Sequence, residues 1–206
     1  MIRGLGEPVP LPPADLAAWR LPLAELPAGT TLQRIHRTAH HPVHFSAGPG
    51  RFDSPAGRFG VLYAARGFDG AFAETILRNP ARALVSLREI EARSRAILAL
   101  GGAARLVDLT GPGLSALGLD ARFLSGPYEV CGAWTEALAA HPAAPGGILY
   151  PSRFDPSEQC VALFGIALSG RPAPAIAPVG DSLPLGEMLA AVGATLDRYG
   201  KALDAG

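Results

Sequence analysis

The chain has 206 residues, 49% of them hydrophobic and 17% charged, which fits a globular domain large enough to fold around its own core. Formal net charge is +0, so no global attraction to nucleic acid or to an anionic membrane is expected. Two cysteines, Cys131 and Cys160, are too few for a disulfide framework or a zinc cluster.

Residues 1–29 are rich in Pro and Ala and read as a lead-in packed on the surface, with one short helical candidate from Ala14 to Trp19. Thr30 to Arg37 reads as a first strand. Residues 38–57 form a long loop with Pro42, Pro49 and Pro55, a length that in a compact domain points to function. The apolar run Gly60 to Ala65 reads as a buried strand. Asp69 then suits a helix N-cap and Asn79-Pro80 the stop, with Phe72, Ala73, Ile76 and Leu77 as the apolar stripe. Residues 81–91 fit either strand or helix.

Ala96–Leu100 and Ala103–Leu109 read as two strands of a hairpin around Gly101-Gly102. Tyr128 to Ala140 is a predicted helix closed by His141-Pro142. Gly147–Pro151 and Val161–Ile166 are predicted strands separated by a polar loop, and Leu185–Leu203 is a predicted amphipathic helix. Hairpins and helices mix without regular alternation. The expected class is therefore α+β, a single domain with a mixed or antiparallel sheet and flanking helices. Three stretches are expected: the lead-in at 1–29, the body at 30–170, and a C-terminal extension at 171–206 whose helix packs on the same domain. No basic region followed by an apolar leader opens the chain, and no apolar run approaches the ~20 residues of a membrane helix. A cytoplasmic protein is expected, with neither nucleic acid nor membrane as partner.

Several motifs carry little. Gly111-Pro112-Gly113-Leu114-Ser115-Ala116 matches a dinucleotide glycine fingerprint in form, but lacks the βαβ unit and the later acidic residue, so it reads as a turn into a short helix. Lys201 is the one lysine, so a Gly-Lys-Ser/Thr phosphate loop is absent and cationic contacts to phosphate fall to Arg, which grips oxyanions in a fork. His36, His40, His41 and His44 crowd together, but Pro42 breaks the helix that would align them as ligands, and no Cys or acidic partner is near. No metal is expected.

What remains is an ordered set of polar residues. Arg34 lies in the strand-like Leu32-Gln33-Arg34-Ile35-His36, where alternation would put it beside Leu32 and His36, facing a cleft or solvent. Arg51 lies in the Gly/Pro-rich loop. Tyr63 ends an apolar strand, as a core tyrosine would. Glu74 sits on the following helix, with Arg78 four residues on as a plausible ion-pair partner. Ser152 and Arg153 follow the strand Gly147–Pro151, where a turn is the plain reading.

Together these pieces resemble the RES-domain proteins, named for conserved Arg, Glu and Ser. The resemblance rests on RIHR with Arg34, GPGRFDSPAGRFGVLYAA with Arg51 and Tyr63, AFAETI with Glu74, RLVDL, and GILYPSRFDPSEQCVALF with Ser152. It covers residues 30–165. It implies a fold similar to ADP-ribosyltransferase-type toxins, a bacterial toxin role with an Xre-like antitoxin as partner, and destruction of NAD+ by phosphorolysis or hydrolysis. By position it implies Arg34, Glu74 and Ser152 as catalytic residues, with Arg51 and Tyr63 also in the NAD+ pocket. NAD+ is then substrate rather than resident cofactor, with inorganic phosphate as a candidate co-substrate. Two alternatives stay open: an ADP-ribosyltransferase acting on a protein, and a non-catalytic nucleotide-binding module.

Overall fold

The computed structural model describes residues 8–165 and 173–204; Ile166 and the expected boundary at 170/171 lie outside the described residues. After a 3-10 turn at Leu16–Ala18 come β1 (Leu23–Leu26), β2 (Thr31–Arg37), β3 (Val61–Ala65) and α1 (Phe68–Thr75). The middle holds β4 (Leu84–Ser86), α2 (Leu87–Glu91), β5 (Arg93–Leu100), β6 (Ala104–Asp108), α3 (Gly113–Ala116), α4 (Arg122–Ser125) and α5 (Tyr128–Ala139). The rest holds β7 (Gly147–Pro151), β8 (Gln159–Phe164), β9 (Ile176–Pro178), β10 (Leu183–Pro184), α6 (Leu189–Arg198) and β11 (Ala202–Asp204).

The main sheet runs β1-β6-β7-β8-β3-β2-β5-β10, with β9 also on β5. Its β6–β7 pair is parallel and its other pairs are antiparallel, the mixed sheet expected of an α+β domain. A parallel pair, β4 with β11, stands apart from it. The Gly101-Gly102 hairpin does not form. β5 is taken by β2 along its whole length, Thr31 opposite Ala99 to Arg37 opposite Arg93, and by β9 and β10 on its other edge. With both edges filled, β6 pairs elsewhere. One of its partners is β1, a strand that the Pro- and Ala-rich composition of the lead-in conceals; Leu16, Leu21 and Leu26 of that segment are buried in the core.

Strand alternation divides the core in two. Along β3, Val61, Tyr63 and Ala65 join one cluster with Phe52, Phe72, Phe123, Trp134 and Tyr150, while Leu62 and Ala64 join another with Leu32, Leu98 and Leu163. The first side is roofed by helices. α5 buries Cys131, Trp134, Thr135 and Leu138, the i, i+3, i+4, i+7 stripe of a helix on a sheet. Trp134 adds a hydrogen bond from its indole N–H to the Pro10 carbonyl at 2.8 Å, which fastens the lead-in.

Two expected helices are shorter than their sequence limits. α1 is capped at Gly67 instead of Asp69 and ends at Thr75. Asp69 is drawn away from capping because its carboxylate accepts bonds from Thr195 and Arg198 of the C-terminal helix. At the other end, Leu185–Leu203 breaks into a 3-10 turn, α6 and β11; Gly200, at φ +61, ends the helix in the left-handed conformation that glycine adopts readily.

Candidate active site

A cavity of about 450 Å³ opens on the helix-covered side of the sheet. β3 contributes Tyr63, β7 contributes Tyr150, α1 contributes Glu74, and the loop after β2 folds over them with Gly50, Arg51 and Asp53. Arg78, Arg93, Tyr128 and Arg153 also line its wall.

Glu74 and Ser152 meet although 78 residues apart: the Ser152 hydroxyl donates to Glu74 Oε1 at 2.6 Å. The Arg153 backbone N–H donates to the same oxygen at 3.2 Å. Ser152 Oγ also accepts from the backbone N–H groups of Phe154 and Asp155, at 3.1 and 3.3 Å. The buried serine therefore ties the turn after β7 to the carboxylate on α1. The Glu74–Arg78 ion pair that helical spacing allows does not form, because α1 ends at Thr75 and Arg78 leaves the helical register.

Tyr63 is held by its hydroxyl. It donates to Asp53 Oδ1 at 2.8 Å and accepts from the Phe52 N–H at 2.8 Å. Asp53 Oδ2 accepts from the Gly50 N–H at 2.6 Å. Burial raises the pKa of both the Tyr63 phenol and the Asp53 carboxyl, with the Asp53 charge raising Tyr63 further. With the hydroxyl committed, what Tyr63 offers a ligand is its ring. Gly50 has to be glycine here: a Cβ would sit 2.5 Å from the Tyr63 hydroxyl.

Arg51 reaches across the loop. Its Nη1 donates to the Gly126 carbonyl at 2.9 Å, and its guanidinium lies 4.9 Å from the centre of the Tyr128 ring. Arg78, Arg93 and Arg153, like Arg51, have no carboxylate partner among the described residues. Burial lowers the pKa of Arg93; neighbouring Arg37 and Arg78 lower it further, and the Glu89 charge opposes the shift. Four arginines around one cavity without bridging acids form a ready anion site.

Tyr150 is the functional candidate that the apolar pattern of its strand hides. It is 95% buried on that strand, its ring packs edge-on against Phe52 at 4.8 Å, and its hydroxyl has no hydrogen-bond partner among the described residues. Burial, then the nearby Glu74 charge, holds the phenol neutral, so it stands as a free O–H donor beside that carboxylate. The signal for it was period two: Tyr150 and Ser152 point to one side of an extended segment.

Arg34 is not brought to this cavity. The register sets Gln33 opposite Ala65, on the Tyr63 side, so Arg34 points to the opposite side of the sheet, with Leu32 and Ala96. There its Nη2 donates to the His44 carbonyl at 2.9 Å, its Nη1 is buried without a partner, and burial pushes its pKa down to about 10. Of the residues that the resemblance implies, Arg51, Tyr63 and Glu74 line the cavity, Ser152 is bonded to Glu74 at its edge, and Arg34 lies on the other side of the sheet. The histidines do not cluster as ligands: His36 bonds Ser182 and the Arg37 carbonyl, and the described residues hold no group of three potential metal ligands. Likewise, no helix among the described residues is long and apolar enough to cross a membrane.

A family model described as RES domain matches residues 31–184, most of the chain. The chain belongs to the RES-domain family. This RES-domain protein is similar in structure to a chain of the M.tuberculosis MbcT–MbcA toxin–antitoxin complex, with a TM-score of 0.60 over 85% of this chain and 91% of that one, at 17% identity. At that identity the likeness shows the shared fold. No curated protein sequence matches the chain. α6 and β11 lie beyond the matched span of the RES-domain model.

Proposed function

We propose that this RES-domain protein binds NAD+ in the cavity and breaks the bond between nicotinamide and ribose. The carrying observation is Glu74: a carboxylate in no ion pair with an arginine side chain, in one cavity with four arginines that have no acidic ion-pair partner among the described residues. That charge pattern mirrors a ligand with an anionic pyrophosphate and a sugar bearing a cationic ring.

In this reading the bond between ribose C1′ and the pyridine nitrogen breaks, and its electron pair leaves with nicotinamide, which becomes neutral. Positive charge develops at C1′, and Glu74 stabilises it or holds the ribose hydroxyls. An oxygen of phosphate or water then bonds to C1′, giving ADP-ribose 1″-phosphate, or ADP-ribose and a proton. Arg51, Arg78, Arg93 and Arg153 supply donors to the pyrophosphate. Tyr63 presents its ring to nicotinamide, and Tyr150 donates to the ribose beside Glu74. A second groove of about 320 Å³ shares Gly48, Pro49, Gly50, Asp53 and Tyr128 with the cavity, so the adenosine half has a continuous path outward.

The family and the neighbouring fold support a toxin of a toxin–antitoxin pair; in this reading an Xre-like antitoxin restrains it and it acts in the cytoplasm. The test is to incubate the purified, folded protein with NAD+ and follow free nicotinamide with and without phosphate. Release in either condition supports the reading; intact NAD+ in both overturns it. Label from NAD+ that ends on a lysate protein would favour transfer to protein instead.

Tyr150→Phe removes one donor and keeps the packing against Phe52. Its expected effect is about a tenfold loss in kcat/KM, the scale of one hydrogen bond at ~1.4 kcal/mol. Steady-state kinetics check it, and a variant with the parent's kcat/KM removes Tyr150 from the mechanism.

A further inference from the structure

The C-terminal helix ends on the two segments that carry Glu74 and Ser152. Thr195 Oγ1 donates to Asp69 Oδ1 at 2.6 Å, and Arg198 Nη1 donates to Asp69 Oδ2 at 2.7 Å. Asp69 is in the first turn of α1, the helix that bears Glu74. One residue on, the Tyr199 hydroxyl donates to Asp155 Oδ2 at 2.8 Å, and Arg198 Nη2 lies 3.6 Å from the same oxygen. Asp155 in turn donates its backbone N–H to Ser152 Oγ, and Ser152 donates to Glu74.

These contacts close a ring. It runs from Arg198 to Asp69, along α1 to Glu74, across to Ser152, through Asp155 and back by Tyr199. Close packing supports it. Glu158, whose carbonyl accepts the Ser152 N–H at 2.8 Å, sits where a Cβ on Gly67 or Gly70 would come within 3.0 Å of its carboxylate. The turn can rest on α1 because those two positions lack side chains. Arg198 is half exposed, so its ion pairs are screened and weak individually. The effect lies in joining two elements that also meet at the Glu74–Ser152 contact and where Glu158 packs over Gly67 and Gly70.

We propose that Arg198 and Tyr199 are positioning residues: they fix the turn after β7 against α1 so that Ser152 orients Glu74. The structural half of this stands on the contacts alone; the catalytic half rests on the NAD+ reading above. Both residues lie beyond the segment matched by the family model, whereas Asp69, Glu74, Ser152 and Asp155 lie within it.

The test uses the full chain with Arg198→Ala and Tyr199→Phe combined, and Arg198→Lys as the conservative variant. Four quantities are read: amide hydrogen exchange of residues 152–158, kcat and KM for NAD+, and the melting temperature. The double variant should speed exchange in that segment and lower kcat about tenfold, the scale of a small misplacement in a catalytic site, with KM within about twofold of the parent. Lysine restores charge but not the two-pronged grip, so Arg198→Lys should recover only part of kcat. Unchanged exchange overturns the proposal. Faster exchange with unchanged kcat in an active parent also overturns it, since the ring would then serve the fold alone. Should the parent leave NAD+ intact, the NAD+ reading fails, and the exchange result alone upholds or removes the clamp.

Discussion

Glu74→Gln should lower NAD+ turnover about 1000-fold, equivalent to ~4 kcal/mol of transition-state stabilisation, while the protein stays folded and still binds NAD+. Glutamine keeps the shape of the side chain and an oxygen that can accept from Ser152 and from the Arg153 N–H, the two bonds Glu74 makes now. What it removes is the negative charge that faces the ribose carbon as nicotinamide leaves. Two readouts separate the roles. Turnover reports the charge, and the melting temperature reports the tether between α1 and the turn after β7. A variant that keeps both stability and turnover would reduce Glu74 to a packing residue and remove the core of the mechanism.

Ser152→Ala should be costly in both respects. The hydroxyl is buried at 1% exposure and sits at the centre of three hydrogen bonds: one donated to Glu74 and two accepted from Phe154 and Asp155. Alanine leaves two N–H groups and one carboxylate oxygen short of a partner, at a stability cost of about 2 kcal/mol. With Glu74 no longer oriented, turnover should fall about 100-fold, mostly in kcat. Thermal unfolding and steady-state kinetics on one preparation check both figures. A loss confined to stability, with kcat of the folded fraction unchanged, would make Ser152 structural only.

The parts of the fold that local pattern determines were legible in the sequence. β2, β3, α5, β7 and β8 follow from apolar runs and helical stripes read over a few residues. The parts set by distant partners were not. Gly101-Gly102 has the look of a hairpin turn, but whether β5 accepts β6 depends on β2, β9 and β10, which fill both of its edges. Asp69 has the chemistry of a cap, yet Thr195 and Arg198 compete for it across 126 and 129 residues.

The site shows the same division. Arg51, Tyr63, Glu74 and Ser152 come together, and the family resemblance named each of them. Arg34 was named on the same basis, but a one-residue step along a strand decides its face, and the register opposite Ala65 sends it to the other side of the sheet. Tyr150 and Arg93 escaped notice for a different reason. A tyrosine in an apolar strand and an arginine at a strand start look like core and surface. Only the tertiary structure shows that, among the described residues, one hydroxyl has no hydrogen-bond partner and one guanidinium has no ion-pair partner.

Proton NMR of NAD+ incubated in parallel with the parent protein and with Glu74→Gln tests the central claim most directly. The account predicts that free nicotinamide signals grow with the parent as NAD+ signals decline, and that Glu74→Gln leaves NAD+ intact while still broadening its lines by binding. NAD+ that stays whole and unbroadened beside the folded parent would contradict it.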